Sequence, residues 1–274
     1  MGVRPALDHD NVMLLTEAEV LRLNTDSNGR QVTEVVVNHQ GEQRRFKAHI
    51  VVVSAGAANS ARLLLMSAND SHPKGLANSS DQVGRNYMYH NCKAVVALAH
   101  EPNTTVFQKT VAVHDWYFGD NDFDFPMGNV QMTGKTNGAM MKGYKPRLTA
   151  PAPTWGMDRI AEHSIDFWLQ TEDLPRPDNR VTVNQDGQIK LSYTPTNNKA
   201  SQELANRLEG LLDKLYLKNH LAERQVYFAS SMDIAAVGHQ SGTCRFGENP
   251  ATSVLDTNCR THDVDNLYVV DTSF

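Results

Sequence analysis

Hydrophobic positions along this chain change spacing several times, and each change predicts an element. "NVMLLTEAEVLRLNTD", Asn11 to Asp26, reads as a strand, a turn and a second strand. Val32, Val35 and Val37 open another strand, Gln40-Gly41 turns it, and "EQRRFKA" returns antiparallel. "HIVVVSAG" is then an unbroken apolar run ending in Gly56, which suits a strand covered on both faces. In "AANSARLLLMSAN" the spacing becomes helical: Asn59 or Ser60 caps a helix with Leu63, Leu64 and Met66 facing inward. Strand, glycine turn and helix make half of a doubly wound unit.

From about Pro73 to Pro153 the chain is rich in Gly, Asn, Asp and Pro, with strand-like pieces such as "CKAVVALAH" and "MGNVQMTGK". "HSIDFWLQTEDLPRPDNRVTVNQDGQIKLSYTPT" predicts consecutive antiparallel strands, with a two-residue turn at Asp186-Gly187. In "KASQELANRLEGLLDKLYLKN", Leu204, Leu208, Leu211, Leu212 and Leu215 share one face of a core-facing helix. "DNLYVVDTSF" is an apolar strand of the same character as "HIVVVSAG", and the two are expected side by side. The expected organisation is therefore discontinuous, with residues 1–72 and 232–274 in one domain and the antiparallel middle, 73–231, in a second.

Composition narrows this little. Apolar residues are 40% and charged residues 21% of 274, as in ordinary globular proteins. The net charge of −5 comes without a basic stripe, which argues against nucleic acid as partner. Cys92, Cys244 and Cys259 form no CxxC pair, so neither a metal site nor a disulfide framework is expected; they read as small apolar fillers. No apolar run approaches the roughly 20 residues that span a bilayer.

Two stretches hold candidate chemistry. The turn in "SAGAANSARLL" lets backbone approach a ligand, and the N–H groups of the following helix favour an anion there. Any α/β protein has such turns. "GHQSGTCRFG", Gly238 to Gly247, sets His239 among glycines, where an imidazole with an ordinary pKa of about 6.5 can reach into a cleft and accept a proton. From these residues alone the plainer reading is a hydrogen-bonded turn histidine.

Taken together, the motifs resemble those of the glucose–methanol–choline (GMC) oxidoreductases. "VVVSAGAANSARLLLMSAN" resembles that family's second signature, and "GHQSGTCRFGENPATSVLDTNCRTHDVDNLYVVDTSF" its C-terminal signature. "DQVGRNYMYHN" is similar to its "VGxNLxxH" segment, and "NVMLLTEAEVLRLNTD" to its adenine-side strand. The resemblance implies an incomplete α/β FAD/NAD(P)-binding, Rossmann-like domain plus an α+β substrate domain with an antiparallel sheet. It implies FAD as cofactor, His239 as the alcohol-facing catalytic base, and cofactor contacts at Val20, Ala55, Gly56, Asp271 and Thr272. Residues 1–72 and 232–274 would then be the FAD-binding part and 73–231 the substrate-binding part. His90 reads as a packing or supporting histidine. No metal is expected.

The implied reaction moves a hydride from an alcohol or sugar CH–OH to flavin while a neutral imidazole takes the hydroxyl proton. The partner is a small alcohol or sugar; electron acceptor and compartment stay open. Other readings are a lyase of the same fold with structural FAD, and a non-catalytic scaffold. The family's opening GxGxxG unit does not occur among these residues, nor does the closing segment that in the family runs on from "DTSF" and carries the second active-site residue. The chain is therefore expected to be an internal piece of a longer enzyme, with exposed strand edges and weak FAD binding on its own.

Overall fold

The apolar run at Val51 and the one at Leu267 meet as neighbouring strands. The computed structural model describes residues 2–99, 101–107, 109–144, 151–219, 227–231 and 238–274. Contacts divide the chain into two units. One comprises residues 1–88, 175–193 and 240–274; the other comprises 89–174 and 194–239.

The first unit opens with helix α1 (Val3–Leu7) and strands β1 (Ala18–Thr25), β2 (Val32–His39) and β3 (Glu42–Phe46). These form an antiparallel sheet in the order β1-β2-β3. Residues 12–16 take no strand structure, so the first of the two strands expected over 11–26 is absent. Met13 is 87% exposed, and without an apolar partner the run has nothing to pack on. The expected turn at Gln40-Gly41 is present, both residues at positive φ.

Strand β4 (Val51–Val53) feeds helix α2 (Ala57–Met66) through the glycine turn. Its parallel neighbour is β12 (Leu267–Val269), with Leu267 opposite Val51 and Val269 opposite Val53. That is the pairing expected from composition. Val51 and Val53 are buried, whereas Val52 between them and Val270 are about half exposed. The alternation follows from strand geometry: neighbouring side chains point to opposite faces, and here one face is uncovered.

Strands β9 (Arg180–Val183) and β10 (Ile189–Ser192) form the expected hairpin. The connection is longer than two residues. Gly187 at φ +73° donates its N–H to the Asn184 carbonyl, and Asn184 donates to the Gln188 carbonyl. A longer loop with glycine in the left-handed region is the usual alternative to a two-residue turn. Residues 175–193 belong to the first unit, although 73–231 was expected to form the middle domain. The reason lies in backbone pairing: Val181 donates its N–H to the Gly84 carbonyl at 2.8 Å, and Arg62 donates to the Gly187 carbonyl. Residues 73–88 sit in the first unit as well. The expected boundary at 231/232 adjoins residues 232–237, which lie outside the described residues.

The second unit is built on a five-stranded antiparallel sheet in the order β11-β5-β8-β7-β6. The strands are β5 (Asn91–Leu98), β6 (Ala112–Val113), β7 (Asn129–Met132), β8 (Ser164–Thr171) and β11 (Tyr227–Ser231). Helices α3 (Gly138–Tyr144), α4 (Thr154–Glu162) and α5 (Asn198–Asn219) accompany it. Alternation along β5 sets the layers: Val95 packs with Leu204, Leu208 and Leu212 of α5, while Val96 packs with Met141 and Ala161 of α3 and α4. Of the five leucines predicted on one face, Leu204, Leu208 and Leu212 are buried and Leu215 is 41% exposed.

Candidate active site

Unit one holds the glycine turn, and a carboxylate organises it. Gly56 stands at the N-terminus of α2 with φ +81° and ψ +162°, a shape open in practice only to glycine. Neither Asn59 nor Ser60 caps the helix through its side chain, contrary to expectation. Ser60 instead accepts from the Ala55 N–H at 3.1 Å and donates to Asp271 at 2.5 Å. Asp271 also accepts from the Gly56 N–H at 2.9 Å and from the Ser273 N–H and hydroxyl at 2.8 and 2.5 Å. Burial pushes its carboxyl up, but hydrogen bonds from Ser273 and Ser60 and from the Ser273 and Gly56 amides outweigh this and lower its pKa. The anion at this helix start is thus the chain's own Asp271.

Val20 and Ala55 line one cleft of about 610 Å³, with Val35, Val52, Asn59 and Arg62. The ladder slips between Val20 and Arg22, a bulge that kinks β1 at its mouth. Arg62 and Glu19 lie 3.5 Å apart on the rim. A Cβ built on Gly56 meets no atom within 4 Å, so space beside the turn is open. Thr272 is exposed next to Asp271. The predicted residues Val20 and Ala55 therefore share a cleft, and Gly56 and Asp271 share a hydrogen bond.

His239 belongs to the second unit. It is exposed and takes φ +62°, a left-handed conformation uncommon for a non-glycine residue and enriched at functional sites. Its ring meets that of His90 edge to face, centroids 5.0 Å apart and planes at 86°. Burial, and then the charge of His239, lower the His90 pKa, with Glu172 acting in the opposite sense. His90 is thus biased toward the neutral imidazole at neutral pH. Cys92 and Cys244 are buried, and burial drives the Cys244 thiol up to about 12, so it stays protonated. Among the described residues no group of three His, Cys, Asp or Glu side chains is placed to hold a metal ion. No described helix is long and apolar enough to cross a membrane.

Sequence reasoning missed Glu172 and Tyr117. Asn91 on β5 pairs with Thr171 on β8 at the end of that ladder, and just beyond it the Glu172 charge acts on His90. Tyr117 donates to the Glu172 carboxylate at 3.1 Å. That carboxylate raises the Tyr117 pKa and so keeps the phenol a donor. The aromatic run "WYF" was the available signal; its proximity to Glu172 was not.

Comparison with known proteins places this arrangement. Models of the GMC oxidoreductase family match residues 2–92 with the N-terminal part and 175–274 with the C-terminal part. The chain belongs to the GMC oxidoreductase family. Among GMC relatives, 2-methyl-1,2-propanediol dehydrogenase of Mycolicibacterium austroafricanum is 29% identical over 95% of this chain and 49% of its own length. The 6'''-hydroxyparomomycin C oxidase of Streptomyces lividus is 30% identical over 98% of this chain and 48% of its own. The fructose dehydrogenase large subunit of Gluconobacter japonicus is 26% identical over 93% and 48%. The chain thus spans about half the length of the curated relatives it matches. Pyridoxine 4-oxidase from Mesorbium loti shares the fold with TM-score 0.60 at 18% identity, over 94% of this chain and 52% of that one. Formate oxidase does so with TM-score 0.61 at 14% identity, over 94% and 55%. The GMC fold accounts for the Rossmann-like β4-α2-β12 arrangement of the first unit and for the antiparallel sheet of the second.

Proposed function

We propose that the protein carrying this chain is an FAD-dependent oxidoreductase acting on the CH–OH group of an alcohol or sugar, with His239 as the base. The observation that carries this reading is the exposed His239 imidazole, held at positive φ against a His90 whose pKa is lowered. Relatives named as a diol dehydrogenase, a paromomycin-type oxidase and a fructose dehydrogenase support the substrate class.

The residues present fit FAD. The cleft with Val20 and Ala55 offers apolar walls and a polar rim to a flat ring, and open space beside Gly56 lets backbone come close to a ligand. Val20, Ala55, Gly56, Asp271 and Thr272 are proposed to hold it, Asp271 through the shape it gives the turn. FAD, when bound, supplies the hydride acceptor. His239 in its neutral form takes the hydroxyl proton on a ring nitrogen, which leaves the alcohol oxygen able to push the hydride off carbon. His90, biased toward neutrality, adds no fixed positive charge beside the His239 ring. Val20 to Leu23 and the Ala55-Gly56 turn do no chemistry; they position.

The test is anaerobic. Flavin in the loaded protein should bleach on addition of a primary alcohol or a sugar, and His239→Ala should slow bleaching by about 10²- to 10⁴-fold while flavin stays bound. Catalysis without any bleaching would favour the lyase reading. An unchanged His239→Ala variant would favour a scaffold.

A further inference from the structure

A second cleft, of about 250 Å³, lies in the second unit and is lined by Tyr117, Phe118, Phe125, Pro126, Glu172 and Asn197. It is built rather than incidental. Gly128 on its floor lies so close to β8 that a Cβ would meet the Gln170 carbonyl at 2.0 Å. The buried Asn197 side chain donates to the Glu172 carbonyl at 2.9 Å. The aromatic loop over it is tied to α5, because Arg207 grips Asp120 with two hydrogen bonds of 2.6 and 3.1 Å.

The chemistry of this cleft is anionic and aromatic. Phe118 is 83% exposed and meets Tyr117 edge to face at 4.9 Å. Residues 114–126, "HDWYFGDNDFDFP", carry four aspartates and no lysine or arginine. The same loop already holds one ammonium: Lys199 Nζ sits 5.4 Å from the Phe123 ring centre. Tyr117 satisfies one oxygen of Glu172, and a carboxylate has acceptor positions beyond that one. A cation bearing N–H groups matches both the ring faces and that carboxylate.

The place of the cleft gives it a role. Glu172 follows directly on the Asn91–Thr171 pair that ends the ladder, close enough for its charge to act on His90, whose ring meets that of His239 edge to face. We propose that the Tyr117–Glu172 cleft receives a protonated amine carried by the alcohol substrate, whose hydroxyl then reaches His239. The amine head sets specificity and takes no part in the proton or hydride transfer. Its volume suits the end of a substrate rather than the whole of one. The assignment rests on the oxidoreductase reading for the fate of the hydroxyl, but the binding of the amine stands without it.

The experiment compares 5-aminopentan-1-ol with pentane-1,5-diol, which are nearly the same size and differ in charge at one end. Calorimetric binding to the protein at neutral pH should favour the amino alcohol by about tenfold, a preference that Glu172→Gln reduces to twofold or less. In the flavin-loaded protein the same tenfold should appear in the ratio of kcat/KM, with kcat little changed. Phe118→Ala, at an exposed position that folding does not need, should weaken the amino alcohol several-fold. Equal binding of the two compounds, or a preference that survives Glu172→Gln, overturns the proposal. If the preference holds but neither compound bleaches flavin, the cleft stands and the oxidoreductase reading falls.

Discussion

The α-carbon of Gly242 packs against the main-chain carbonyl of Asn86: a Cβ added at 242 would lie 1.9 Å from that oxygen. Gly242 also takes φ +90°. Both features demand glycine three positions after His239. Gly242→Ala should cost about 3 kcal/mol of stability, since neither main chain can retreat cheaply. A urea titration comparing midpoints measures it. A loss below about 0.5 kcal/mol would show that the contact gives way.

Asp271 should make stability of the first unit depend on pH on the acid side. Its carboxyl pKa is lowered by folding despite burial. The stabilisation is therefore complete above the unfolded value, ordinarily 3.8, and is lost as pH falls through the lower folded value. Asp271→Ala should cost about 2 kcal/mol at neutral pH, because four donors lose one ionised acceptor. The deficit relative to wild type should shrink as pH drops below about 4. Denaturation midpoints at several pH values decide the matter; a deficit independent of pH would assign it to packing.

The Asp120–Arg207 pair offers a carboxyl titration far from the ordinary range. The Arg207 guanidinium, bonded directly to it, holds the Asp120 carboxyl down to about 2. Carboxyl carbon chemical shifts should show Asp120 titrating there in wild type and nearer the ordinary 3.8 in Arg207→Gln. Stabilisation from the pair is complete above the ordinary value and fades as pH falls toward the folded one. An unmoved titration in the variant would mean that the backbone N–H groups of Asp122 and Phe123 suffice.

His90 should respond to its neighbour. Burial first, then the His239 charge, lower its pKa below the ordinary 6.5. The unfolded chain therefore binds the proton more readily, so this histidine makes folding less favourable as pH falls below about 6.5. His239→Gln removes the second cause and should raise the His90 titration midpoint, leaving it still below the ordinary value. Histidine ring NMR signals read this directly. A midpoint that does not move would assign the whole effect to burial.

Local pattern made much of the fold legible. The Gln40-Gly41 turn, the helix after Gly56, the leucine face of α5 and the β4–β12 pairing all announce themselves through spacing and composition. The residues over 12–16 misled because apolar character alone does not make a strand when no partner covers it. The β9-β10 hairpin was visible as a hairpin, but its membership depends on Gly84 meeting Val181, a contact that no local pattern encodes. Of the candidate site, His239 and the glycine turn could be read. The role of Ser60 could not: it resembles a cap, and its partner Asp271 lies 211 positions away. Glu172 stayed hidden for a similar reason, since its place near His90 depends on the register of β5 on β8.

The parallel pairing of residues 51–53 with 267–269 also sets an order of events. During synthesis β4 must wait for more than two hundred further residues before its neighbour β12 exists, a closure that is slow as well as distant. The antiparallel sheet of the other unit needs nothing beyond β11 and can assemble in the interval. Until β12 arrives, the valines of β4 are a sticky surface on a nascent chain. Truncation or ribosome stalling before residue 267 should therefore yield a species that chaperones bind and that aggregates readily.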